Sequence, residues 1–232
     1  MTVALEGVQT REAHMFPDHS ERWEIVPGDD RCLYVAPHCP PELASAMFAY
    51  SEIVPRNFRH VGRGEYGVVF GDGSIALKYA EHDNVRAQVG MPNGGLPDLA
   101  VNAGLYTGLG RLPDNLQSEI APFRFSAPAI YAAVIPHPGG EATPPAVWAM
   151  DFVEGEHPRR ANDILDEQTR HRVYHRALVA CGFAPTQQVD FDDHQRNMLV
   201  KPAQGVGVEA TKIDVVKFDI QALKPLLLHM SA

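Results

Sequence analysis

Two short polar side chains, Asp192 and Asn197, stand five residues apart in the run Val189-Asp190-Phe191-Asp192-Asp193-His194-Gln195-Arg196-Asn197-Met198-Leu199-Val200, a polar loop leading into a short apolar strand. A carboxylate accepts protons and hydrogen bonds, and a carboxamide oxygen is a hard donor, so such a pair suits the orientation of a hydroxyl and the holding of a cation. Alone, an acidic loop entering a strand is a common turn, and the chemistry needs further parts. Residues 58 to 70 read as strand, glycine turn, strand, with Gly62, Gly64 and Gly67 in GxGxxG spacing and Val69 two residues beyond. Glycines let a hairpin tip approach a ligand closely, with backbone N–H groups facing anionic oxygens. A dinucleotide-binding turn requires a helix straight after the glycines. Here Val68, Val69 and Phe70 continue as strand, and Gly71-Asp72-Gly73 turns the chain into Ser74-Ile75-Ala76-Leu77-Lys78-Tyr79. That pattern predicts a β-meander. Its third strand carries Ala76 and Lys78, the lysine eleven residues after Gly67.

The elements that must position these groups follow from pattern. Pro40 to Tyr50 reads as a helix opened by proline, with Glu42 in its first turn. Leu99, Asn102, Leu105, Tyr106 and Leu109 recur at helical spacing between Pro97 and Leu109. Phe125 to Ile135 and Ala146 to Val153 read as strands, the second breaking into Glu154-Gly155-Glu156-His157-Pro158. Glu167 to Phe183 forms a long amphipathic helix with Val173, Ala177, Leu178 and Cys181 inward. After Val200 the chain turns through a Pro/Gly-containing loop and returns as a strand from Val208 to Phe218. Two acidic residues on that return, Asp214 and Asp219, compete for a place beside Asn197. The gap of seventeen residues to Asp214 is the shorter and favours it. Residues 1 to 40 contain one short apolar run, Cys32 to Ala36, and no assignable role.

Composition bounds the answer. The chain has 232 residues, 45% of them hydrophobic, enough for one sizeable core or two small lobes around a cleft. A net charge of −9 without a Lys/Arg block argues against nucleic acid or an anionic membrane as the main partner. No apolar run is long enough to span a bilayer, and the N-terminal residues lack the pattern of a secretory leader, so the expected compartment is cytoplasmic. Three cysteines, Cys32, Cys39 and Cys181, fit no zinc template and read as reduced thiols.

Five motifs in this order resemble the protein-kinase-like superfamily: glycine hairpin, Ala-x-Lys strand, Met-Asp-Phe-Val segment, Asp-x4-Asn loop and late Asp. Together they span residues 58 to 219. The resemblance implies an α+β, two-lobed fold, with residues 41–153 as a β-rich N-lobe containing one helix and residues 154–232 as a truncated, mostly helical C-lobe. ATP and Mg²⁺ would lie between them. By the same resemblance, Gly62, Gly64 and Gly67 cover the phosphates and Lys78 pairs with them. Val69, Ala76 and Met150 enclose the adenine, and the backbone near Asp151 and Val153 reads its edge. Asp192 orients the attacking hydroxyl, while Asn197 and Asp214 hold metal.

Departures from that pattern narrow the reading. The helix after Lys78 lacks the glutamate that pairs with the lysine in kinases; Asn102 takes its place, and Asp98 is the carboxylate one turn earlier. Asp190 stands where protein kinases carry His, and Asp192-x-His194-x-x-Asn197 is closer to small-molecule phosphotransferases. No Ala-Pro-Glu motif is present, and eighteen residues follow Asp214, too few for an activation segment and a peptide-binding lobe. The chain is in this respect similar to compact bacterial effector kinases injected into host cells. The expectation is therefore a compact Ser/Thr kinase with a protein acceptor and without activation-loop control. A small-molecule kinase and a nucleotide-binding pseudokinase are the rivals.

Overall fold

The computed structural model describes residues 11–14, 22–64, 67–80, 96–137, 146–160, 163–183, 190–191, 195–203, 207–213 and 216–217. Its centre is an eight-stranded sheet. The chain enters with β1 (Arg11–His14), β2 (Arg22–Pro27) and β3 (Arg31–Val35), followed by helix α1 (Pro41–Glu52). The meander comes next as β4 (Arg59–Gly64), β5 (Gly67–Gly71) and β6 (Ile75–Ala80). Helices α2 (Leu96–Leu109) and α3 (Asp114–Glu119) lead to β7 (Phe123–Ser126), β8 (Ile130–Pro136) and β9 (Ala146–Asp151). Then come α4 (Glu167–Ala180), β10 (Asp190–Phe191), a 3-10 turn over Gln195–Asn197, β11 (Met198–Pro202), β12 (Val208–Lys212) and β13 (Val216–Lys217).

In the large sheet the order is β1-β2-β3-β8-β9-β6-β5-β4, with each neighbouring pair antiparallel. Its two faces separate by the alternation of side chains along a strand. On one face Leu33, Leu77, Ala132, Val134, Val147 and Ala149 pack with Met47 of α1. On the other, Ala76, Ala133, Ile135, Trp148 and Met150 share a core with Leu99, Leu105, Val173 and Leu178 of α2 and α4. Burial of these apolar faces, at roughly 25 cal/mol per Å², is the main force holding the layers together.

Local chemistry explains the helix positions. Pro41 opens α1 and Glu42 sits in its first turn, where a missing N–H costs nothing and a negative charge meets the helix dipole. Asp166 caps α4, accepting the N–H of Thr169 at 2.9 Å. Val173, Ala177, Leu178 and Cys181 are all buried, as their spacing predicts. The α2–α4 contact is unusually close at Gly108, where a Cβ would fall 1.9 Å from the carbonyl oxygen of Ala177.

Three differences from the sequence expectations have physical reasons. The run from Phe125 to Ile135 is not one strand: it breaks at Ala127-Pro128-Ala129, where proline has no N–H to donate to a ladder. Its first part, β7, instead pairs in parallel with β12 in a separate sheet of order β11-β12-β7. Within residues 1 to 40, β2 and β3 continue the large sheet through the β3–β8 pairing, with Trp23, Val26 and Leu33 buried. Beyond residue 154 the described chain holds one α-helix and four short strands, so the mostly helical lobe expected there is not what these residues form. Residues 218–232 lie outside the described chain.

Candidate functional site

The glycine hairpin forms as the spacing predicts. β4 pairs with β5 from Arg59↔Gly71 to Gly64↔Gly67, with an irregularity between His60 and Gly62. Its glycines differ in what they face. At Gly67 an added Cβ would lie 2.3 Å from the carbonyl oxygen of Tyr79, so the fold itself demands glycine there. At Gly62 a Cβ would meet nothing within 4 Å.

Lys78 stands at the middle of the sheet, where β6 runs between the hairpin strand β5 and the strand β9. Directly opposed residues share a face, and the pairs Val69↔Lys78, Lys78↔Trp148 and Ala76↔Met150 therefore bring five side chains onto the face covered by α2 and α4. Lys78 is 8% exposed, Ala76 4% and Met150 8%, and Val69 packs against the same core while remaining half-buried. The Lys78 ammonium sits over the Trp148 ring, 5.1 Å from its centroid, an attraction that is strengthened when water is excluded. Asn102, at the place of the kinase helix glutamate, is buried on α2, which packs against β8, β7 and α4. The side chain of Asp98 lies outside the described residues.

At the end of β9 the backbone is tied on both sides. The Asp151 N–H donates to the carbonyl of Ala129 at 3.0 Å, and the N–H of Phe152 donates to Ser74 at 3.1 Å. The Asp151 carboxylate accepts the N–H of Ala129 at 3.0 Å and the hydroxyl of Tyr131. This hydrogen bond, with burial, pushes the Tyr131 hydroxyl up to about 12. The Asp151 side chain thus clasps β9 to the start of β8, a structural task that the sequence did not reveal. Val153, half-buried, follows where the chain leaves the sheet.

Asn197 ends the 3-10 turn and enters β11. Its carbonyl accepts the N–H of Ile213 at 2.9 Å, next to the first ladder pair, Met198↔Lys212. Asp214 is the next residue along the chain. A second pairing, Asp190↔Lys217 and Phe191↔Val216, joins β10 to β13. In sequence, residues 192–197 and 213–215 therefore each lie between the same two ladders. Asp192, Asp214 and Asp219 themselves lie outside the described residues. Further back, His157 Nδ1 lies 2.9 Å from the carbonyl oxygen of Met198, and the N–H of Glu156 donates to Val200 at 3.0 Å, which fastens the segment after β9 to β11.

Among the described residues no cluster of three or more His, Cys, Asp or Glu side chains is arranged to hold a metal. The oxygen donors that the sequence puts forward, the Asn197 amide and a carboxylate following Ile213, are chemically of the kind that Mg²⁺ prefers. None of the described helices is long and apolar enough to cross a membrane.

No protein-family model matches the chain, and no curated protein matches it. Among solved structures, the Legionella pneumophila Lpg2603 kinase bound to IP6 is similar at a TM-score of 0.30 and 12% identity, over 90% of this chain and 68% of that one. The described residues form a mixed α/β architecture with a large antiparallel sheet.

Proposed function

We propose that this chain is an ATP-dependent phosphotransferase, a compact kinase that transfers the γ-phosphoryl group to a Ser or Thr hydroxyl of a protein without activation-loop control. The observation that carries this reading is the double pairing around the Asn197 loop: β11 with β12 and β10 with β13, with Ile213 bonded to Asn197. A phosphotransferase site needs a hydroxyl-orienting carboxylate and metal-holding oxygens from distant stretches of chain, and the paired strands are the ones that border Asp192, Asn197 and Asp214 in sequence. The strand order supports it from the other side. Lys78 lies between the glycine hairpin and the β9 strand that ends in Met150 and Asp151.

In this reading Lys78 contributes a fixed positive charge toward the phosphates, at a position already held by the sheet, and positioning with electrostatics supplies most of the rate. Asp192 accepts and orients the hydroxyl proton. Asn197 and Asp214 hold Mg²⁺, which when bound neutralises phosphate charge. Val69, Ala76 and Met150 present apolar surface suited to a flat heteroaromatic ring.

One observation favours a second reading. α2 offers Lys78 no glutamate, and the buried residue at that place is the neutral Asn102. A nucleotide-binding module without turnover fits that loss. Incubation with γ-labelled ATP, Mg²⁺ and a cell lysate separates these readings. Label on lysate proteins supports the protein kinase, and label in a soluble phosphoester moves the acceptor to a small molecule. Nucleotide-induced thermal stabilisation without any transfer supports the binding module.

A further inference from the structure

At one end of the β3–β8 ladder a thiol and an imidazole meet. Cys32 Sγ lies 3.1 Å from His137 Nε2. The two belong to adjacent strands, Cys32 opposite Ile135 in the ladder and His137 just beyond the end of β8. The main chain at His137 is held by its own N–H, which donates to the carbonyl of Asp30 at 2.7 Å. The Asp30 carboxylate is gripped by Arg31 at 2.7 and 2.8 Å. His137 is exposed and Cys32 is half-buried, so the pair is open to small molecules. A thiol with a base within hydrogen-bond reach is the arrangement that activates a nucleophile.

The other two cysteines provide the contrast. Cys181 is fully buried, with its thiol donating to the carbonyl of Gly104 at 3.3 Å. Cys39 is half-buried, and burial pushes its thiol up to about 11. Only the thiolate is an effective nucleophile.

We propose that Cys32 is a modification site, a thiol activated by His137 for exchange with small disulfides. His137 Nε2 takes the thiol proton, and the Cys32 sulfur attacks one sulfur of the disulfide. The new S–S bond forms as the old one breaks. Cys32 is oxidised, the departing half is reduced, and its thiolate takes the proton back from His137. The product is a mixed disulfide on the third strand of the large sheet and one equivalent of free small thiol.

The test uses the full-length folded protein and oxidised glutathione, with acid-quenched samples mapped by peptide mass spectrometry. The expected result is a single early adduct on Cys32, ahead of Cys39 and Cys181, with His137→Gln slowing that reaction by about tenfold. An adduct first on Cys39 or Cys181 overturns the proposal, and so does a folded His137→Gln protein that reacts as fast as the natural one. Should His137→Gln fail to fold, the order of labelling in the natural protein decides. Cys32 first supports activation, and any other order contradicts it.

Discussion

The Ile213 N–H donates to the Asn197 carbonyl oxygen at 2.9 Å, so the 3-10 turn that ends at Asn197 and the end of β12 are joined directly. Asp214 follows Ile213 without an intervening residue, whereas Asp219 comes only after β13. Asp214→Ala is therefore expected to lower Mg²⁺-dependent turnover by about 100-fold, with Asp219→Ala remaining near the natural rate. Steady-state kinetics on both variants check this, and the reverse order of effects reassigns the metal ligand.

Two of the hairpin glycines separate folding from chemistry. Gly67→Ala forces a Cβ against the Tyr79 carbonyl, at 2.3 Å in the unrelaxed geometry, and should cost about 1–3 kcal/mol in urea unfolding. Gly62→Ala meets nothing within 4 Å and should change stability by no more than about 0.5 kcal/mol. If the hairpin covers phosphates, Gly62→Ala still raises KM for ATP. An unchanged KM removes Gly62 from the site.

Lys78 combines a structural and a chemical role. Lys78→Met keeps the aliphatic stem against the core and loses the ammonium over Trp148, 5.1 Å from the ring centroid. The expected stability change is small, about 0.5–2 kcal/mol. The expected fall in kcat/KM for ATP is about 100-fold. Comparable kcat/KM in the two proteins would make Lys78 a core lysine only.

The Tyr131–Asp151 clasp gives an alkaline signature. The Tyr131 hydroxyl is raised to about 12 by its bond to Asp151 and by burial, from an ordinary value of 10.0. A tyrosine whose folded value lies above its unfolded one binds its proton more tightly in the native state. Its contribution to stability is complete below pH 10.0 and fades as the pH rises toward about 12. Tyr34 and Tyr79, raised to about 12 chiefly by burial, titrate over the same window. The informative quantity is therefore the stability difference between the natural protein and Tyr131→Phe. That difference should shrink between pH 10 and 12, and a constant difference contradicts the assignment.

Much of the sheet was legible from sequence because strand and turn signals were strong. The Gly71-Asp72-Gly73 turn gives β5 and β6 the pairing that its position implies. Helical spacing likewise identified α2 and α4 within a few residues, and the opening proline with its first-turn acidic residue identified α1. Pairings between distant stretches were not legible: β2 and β3 joining β8, or β7 joining β12 in parallel, depend on tertiary partners that local pattern does not encode. Asp151 illustrates the same limit at the site. Its sequence context suggested a backbone that reads an adenine edge, and its side chain turns out to hold Tyr131 and Ala129, contacts set by the β8–β9 pairing. The Cys32–His137 contact links residues 105 apart in sequence and left no local trace.

Transfer from γ-labelled ATP with Mg²⁺ is to be measured for the natural protein and for Asp192→Ala, both verified as folded. If residues 192–197 carry the phosphoryl transfer proposed above, label appears on an acceptor with the natural protein and falls by about 10²–10⁴-fold in the variant. Equal transfer by the two proteins, or none by the natural protein with any protein or small-molecule hydroxyl acceptor, contradicts it.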